Sequence, residues 1–124
     1  MKKRFAGILL SLVFLLSLTA SALAHAPRDI RMQWDRGDRT LRVYVNHGTG
    51  NVKRHYVKRI EVFVNWKRVA TQTYGGQGDD DGLYARFRLG RLPEKAVITV
   101  KASCNREGSR KESITIYRGK KWNS

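Results

Sequence analysis

Leu41-Arg42-Val43-Tyr44-Val45-Asn46-His47 sets Leu41, Val43, Val45 and His47 on one face and Arg42 and Tyr44 on the other. A β-strand turns successive side chains to opposite faces, so this period of two reads as a half-buried strand and not as a helix, whose period is about 3.6. The same rhythm recurs outward from here. Ile60, Val62, Val64 and Trp66 share a face against Glu61, Phe63 and Asn65, and Leu83, Ala85, Phe87 and Leu89 alternate with Arg86 and Arg88. Ile98, Val100, Ala102 and Cys104 form another inward set, while 30–34, 69–74 and the Ile114/Ile116 pair supply the remaining strands. Turns fall at 65–67, in the Gly-rich loop 75–82 and at 90–93. Seven short strands with turn signals between them predict an all-β protein, an immunoglobulin-like seven-stranded β-sandwich. Trp34 and Trp66 are expected in its core.

The N-terminus reads differently. Lys2, Lys3 and Arg4 precede an apolar run over 8–18, and Ala22-Leu23-Ala24 supplies the small residues of a cleavage site. This is the pattern of a secretory signal peptide over 1–24, which makes 25–124 the folded domain and His25 its first residue. The apolar run is too short, and too closely followed by the cleavage motif, to be a stable membrane span. The expected location is the periplasm or another exported compartment.

The chain carries 25 Lys and Arg against 10 Asp and Glu, a net charge of +15. The leader holds three of those cations and no acid, so the domain keeps +12. Such a charge attracts anions: a small anionic substrate, an acidic protein or a phospholipid surface. Export argues against nucleic acid. Most of the Lys and Arg residues fit exposed strand faces, where they serve solubility. Asp79-Asp80-Asp81 lacks the alternating ligands and closing Glu of a calcium loop and reads as a solvated turn.

Beyond the leader, the strong soft-metal donors are His25, His47, His55 and Cys104. A lone cysteine cannot form an internal disulfide, so in an oxidising compartment it is expected to be buried or metal-bound. His47 and Cys104 each continue the inward phase of a strand at its end, and the loop 48–54 returns His55 towards His47. Strand ends cluster at the poles of a sandwich, so these groups are expected to meet at one of them. Imidazole with thiolate suits iron, zinc or copper.

Three stretches carry a resemblance: His25-Ala26-Pro27, then Asn46-His47-Gly48 with His55-Tyr56-Val57-Lys58-Arg59-Ile60-Glu61, then Cys104-Asn105-Arg106-Glu107-Gly108. In this order the chain resembles the iron-binding domain of the desulfoferrodoxin and superoxide reductase family. The resemblance implies a mononuclear non-haem iron with His25, His47 and His55 as equatorial ligands and Cys104 as the axial thiolate. It implies reduction of superoxide to hydrogen peroxide with electrons from a separate, unidentified donor. The chain departs from the family pattern in three places. Glu107 stands where the family has a fourth histidine, Gly48 stands for a proline, and the lysine before the first histidine is absent. Cys104 and Glu107 are therefore the expected catalytic residues, with Glu107 as a carboxylate ligand.

Two other functions fit parts of the chain. Segments 59–69 and 97–116 also resemble the sulfur-oxidation carrier-complex proteins, which would make the domain a non-catalytic binding module. A periplasmic copper carrier could use His25 and its amine, though only Met32 remains as a thioether in the domain.

Overall fold

The alternation in Leu41-Arg42-Val43-Tyr44-Val45 resolves into a strand whose Leu41, Val43 and Val45 are fully buried. The computed structural model describes residues 26–119. They form β1 (Asp29–Asp35), β2 (Thr40–Asn46), β3 (Val57–Val64), β4 (Lys67–Thr73), β5 (Gly82–Arg88), β6 (Lys95–Cys104) and β7 (Ser109–Tyr117), with no helix among the described residues. The expected leader, His25 and the tail 120–124 lie outside them.

The strands form two antiparallel sheets, one ordered β1-β2-β5 and the other β4-β3-β6-β7. Register explains the core. Leu41, Val43 and Val45 stand opposite Phe87, Ala85 and Leu83, so inward residues meet inward residues across the pair. In the second sheet Ile60, Val62 and Val64 face Ala102, Val100 and Ile98. These two apolar faces close on each other as one cluster. Directly opposed apolar pairs are the unit of sheet stabilisation, and each fully buried aliphatic side chain contributes about 1.5–3 kcal/mol.

One sequence expectation needs correction. The turn falls within 65–67 as expected, but Trp66 does not keep the inward face of Ile60, Val62 and Val64: β3 stops at Val64, and Asn65 and Trp66 form a two-residue hairpin turn with φ of 48° and 68°. Positive φ at both central residues is the type I′ geometry, whose twist matches the flanking strands. Trp66 is consequently thrown outward and is 78% exposed instead of lying in the core. Trp34 is half-buried and does pack against the core cluster. The longest strand is β6, at 10 residues.

The outer face of β3 carries one buried charge. Glu61 is held by Arg59 and Arg68, each 3.3 Å away. The edge strand β4 is almost wholly exposed and opens with Lys67 and Arg68, charges that discourage edge-to-edge pairing.

Candidate metal centre

Antiparallel pairing fixes which strand ends share a pole. Asn46 at the end of β2 pairs with Asp29 at the start of β1, and Cys104 at the end of β6 pairs with Val57 at the start of β3. His47 therefore follows β2 into the same pole that His55 approaches before β3. The side-chain donors of His47, His55 and Cys104 lie within 4.8 Å of one another. Donors bonded to one metal at about 2.0–2.3 Å stand at most about 4.6 Å apart, so a small inward shift of these side chains would bring them onto a common ion. The cluster is shielded from water, with His47 3% and Cys104 2% exposed. The two imidazoles meet edge to face, centroids 4.6 Å apart and planes at 85°.

The local chain explains each placement. The His55 amide donates to the Asn51 carbonyl at 2.8 Å, closing the loop that carries this ring back over His47. His47 is fixed from both sides of its backbone and by its ring. Its N–H donates to the Asp81 carbonyl at 2.8 Å, and its own carbonyl accepts Gln77 Nε2 at 3.0 Å. Gln77 Nε2 also donates to the Asp79 carbonyl at 2.9 Å. With the amide nitrogen spent on two carbonyls, Gln77 Oε1 must face the other way, where it accepts the Val57 N–H at 3.1 Å and meets His47 Nδ1 at 2.8 Å. An amide oxygen only accepts, so Nδ1 carries the proton and Nε2 carries the lone pair that can bind a metal. Gln77 is buried and escaped the sequence reading; it sits in a Gly/Asp-rich loop that follows no strand period. The Asp79-Asp80-Asp81 side chains are exposed, as expected of a solvated turn, yet the backbone of that turn braces the cluster. Gly82 makes this possible: a Cβ there would collide with the Val45 carbonyl and the Tyr44 ring.

Asn105 is the second residue whose role the sequence did not disclose. Its Oδ1 accepts the Tyr56 N–H at 2.8 Å, its Nδ2 donates to the Arg54 carbonyl at 2.9 Å, and its own N–H donates to the Tyr56 carbonyl at 3.0 Å. It thereby ties both neighbours of His55 to the turn that follows Cys104. Within that turn the Arg106 N–H points at Cys104 Sγ at 3.5 Å and the Cys104 N–H donates to the Gly108 carbonyl at 3.0 Å.

Of the remaining sequence candidates, His25 lies outside the described residues. The chain nonetheless enters at this pole, since Pro27 is fully buried and the Arg28 N–H donates to the Asn46 carbonyl at 2.8 Å. Glu107 is exposed in the β6–β7 turn and does not join the His47–His55–Cys104 group. It lines a shallow depression with Cys104, and Lys58, Arg59, Lys101 and Arg106 line the same depression. Tyr74, whose N–H donates to the Lys58 carbonyl, has its phenol pushed above the usual range by burial and stays neutral.

Fold and donor set together define a class: an immunoglobulin-like sandwich holding a His/His/Cys cluster that could bind a metal. Solved structures with this fold include a variant of the superoxide reductase (neelaredoxin) from Ignicoccus hospitalis, 14% identical over 73% of this chain and 80% of that one, with a TM-score of 0.52. The reduced superoxide reductase (neelaredoxin) from Archaeoglobus fulgidus is 18% identical over 75% of this chain and 89% of that one, at a TM-score of 0.50. A hypothetical protein from Pyrococcus horikoshii is 15% identical over 73% and 87%, at 0.53. No family profile matches the chain, and no curated protein matches it in sequence. The chain thus shares its fold with these superoxide reductase structures.

Proposed function

We propose that this protein is an exported iron protein that reduces superoxide to hydrogen peroxide. The observation that carries the proposal is the convergence of His47, His55 and Cys104 within 4.8 Å, on the fold of superoxide reductases. Two imidazoles and one thiolate suit iron, and equally zinc or copper, so the donor chemistry fits the group without selecting it. Gln77 orients His47, Asn105 holds the His55 loop to the Cys104 turn, and the Arg106 amide fixes the sulfur. His25 and Glu107 complete the ligand set in this proposal, His25 as a third imidazole and Glu107 as a carboxylate.

Bound iron would supply one electron to each superoxide; that electron and two protons convert it to hydrogen peroxide, and an external donor restores the electron. Lys58, Arg59, Lys101 and Arg106 draw the anion towards Cys104, because clustered charge of one sign raises the local concentration of its opposite. The buried walls around His47 and Cys104 keep competing donors away.

The test is anaerobic loading with Fe(II), followed by metal analysis and by superoxide consumption with peroxide counted. One iron per chain and one peroxide per superoxide consumed are expected. Protein that holds one zinc or copper per chain and takes up no iron would overturn the proposal in favour of a metal carrier.

A further inference from the structure

We propose that the pole opposite the metal cluster docks on anionic phospholipid bilayers, with Trp66 entering the headgroup region and an arginine-lined cavity taking a lipid phosphate. That pole gathers the far ends of the same strands. Asn65 anchors the Trp66 turn there: its N–H donates to the Val97 carbonyl at 2.9 Å and its Nδ2 to the Lys95 carbonyl at 3.1 Å. Beside β6, the Arg118 N–H donates to the Glu94 carbonyl at 2.7 Å, and Arg36 Nη2 reaches the Tyr117 carbonyl at 3.2 Å.

Between the sheets at this end lies a cavity of about 500 Å³. Its apolar lining is Trp34, Leu92 and Ile116, and its charged lining is Arg36, Arg39, Arg91 and Arg118 against the single acid Glu94. Arg39, Arg91 and Arg118 form no ion pair with a carboxylate among the described residues. Guanidinium forks match the oxygens of a phosphate, and an apolar floor beneath them suits a ligand with a hydrocarbon body.

Backbone conformation supplies the independent observation. Arg39 has φ of 53° and Trp66 has φ of 68°. Glycine or asparagine adopts this left-handed region at little cost, whereas a bulky aromatic there is an outlier. Strain kept at exposed side chains that support no core contact points to use of the side chains themselves. An indole beside Lys67, Arg68 and half-exposed Val69 has the make-up of a membrane-interface anchor, an amphipathic ring among cations. A soluble anion would use the cavity but not the exposed indole. No helix among the described residues is long and apolar enough to cross a membrane, so the association is peripheral.

Sedimentation of the full domain with vesicles tests this. Vesicles of equal parts phosphatidylglycerol and phosphatidylcholine should carry the protein down, pure phosphatidylcholine should not, and raised salt should release it. Trp66→Gly should weaken binding about tenfold and Arg39→Gly about fivefold, in line with an interfacial aromatic and one cation. Both substitutions install the residue that tolerates the local φ, so neither should lower the thermal midpoint, and loss of binding cannot be ascribed to unfolding. Variants that bind as well as the parent, or a parent that ignores the mixed vesicles, would overturn the proposal. So would binding confined to soluble short-chain phosphatidylglycerol, which would make the cavity a site for small anions.

Discussion

The two poles of this sandwich are built from opposite ends of the same strands, yet they spend their side chains in opposite ways. At the metal pole, buried polar groups are satisfied by one another: Gln77 alone serves His47 twice, Val57 and Asp79. At the other pole, arginines and a tryptophan stand exposed, two of them on left-handed backbone that suits glycine or asparagine better. The first arrangement preorganises a site at the cost of tolerance to change. The second keeps side chains at the expense of stability. Substitutions should therefore destabilise one pole and relieve the other.

The comparison breaks most visibly at Gln77. Gln77→Ala strips partners from a buried ring nitrogen, two carbonyls and an amide, and should lower stability by about 3 kcal/mol, read by denaturant titration. Because it also releases His47 from its fixed tautomer, metal affinity should fall about 10–100-fold in competition with a chelator. Glu107→His tests the proposed carboxylate ligand. Removal of a negative charge beside iron should raise the midpoint potential and speed re-reduction by the external donor, and with it turnover, about tenfold; an unchanged potential would take Glu107 out of the ligand set. Gly82→Ala should cost about 1–3 kcal/mol, since the new methyl meets the Val45 carbonyl and the strand must shift. Asn105→Ala should cost about 1–2 kcal/mol and loosen metal binding with it, as the His55 loop loses its tie to the Cys104 turn. Smallest, and opposite in sign, is Trp66→Gly, which should stabilise the fold by about 1 kcal/mol, a rise of about 4 °C in thermal midpoint.

Much of this was legible in the sequence because a strand writes its burial into alternate positions. Leu41 to His47 and Ile98 to Cys104 each keep one phase to the end of the strand, which is enough to send His47 and Cys104 inward at a pole. That they share a pole with His55 follows from the sandwich and the short loop 48–54. Gln77 was invisible for the same reason: it lies in a loop, where hydrogen bonding and not periodicity decides who is buried. Asn105 stood inside the quoted Cys104–Gly108 motif, but its three bonds reach Arg54 and Tyr56, far away in sequence. Trp66 misled because alternation continues one step beyond the strand; Asn65, a residue that accepts positive φ, was the signal that the chain turns there. Arg39 left no signal, since nothing in its neighbours announces a left-handed arginine. Glu107 was placed by resemblance alone; it lies exposed in the β6–β7 turn, outside the His47–His55–Cys104 group.

The central claim is that Cys104 and the two histidines hold iron. Anaerobically loaded protein and its Cys104→Ser variant should be compared for iron content and, after oxidation, for sulfur-to-iron charge-transfer absorption. The parent is predicted to hold one iron per chain and to show the band, while the variant stays folded, because a small side chain suffices at that core position, and loses the band. A folded variant that retains both the iron and the absorption, or a parent that binds no iron at all, would contradict the account.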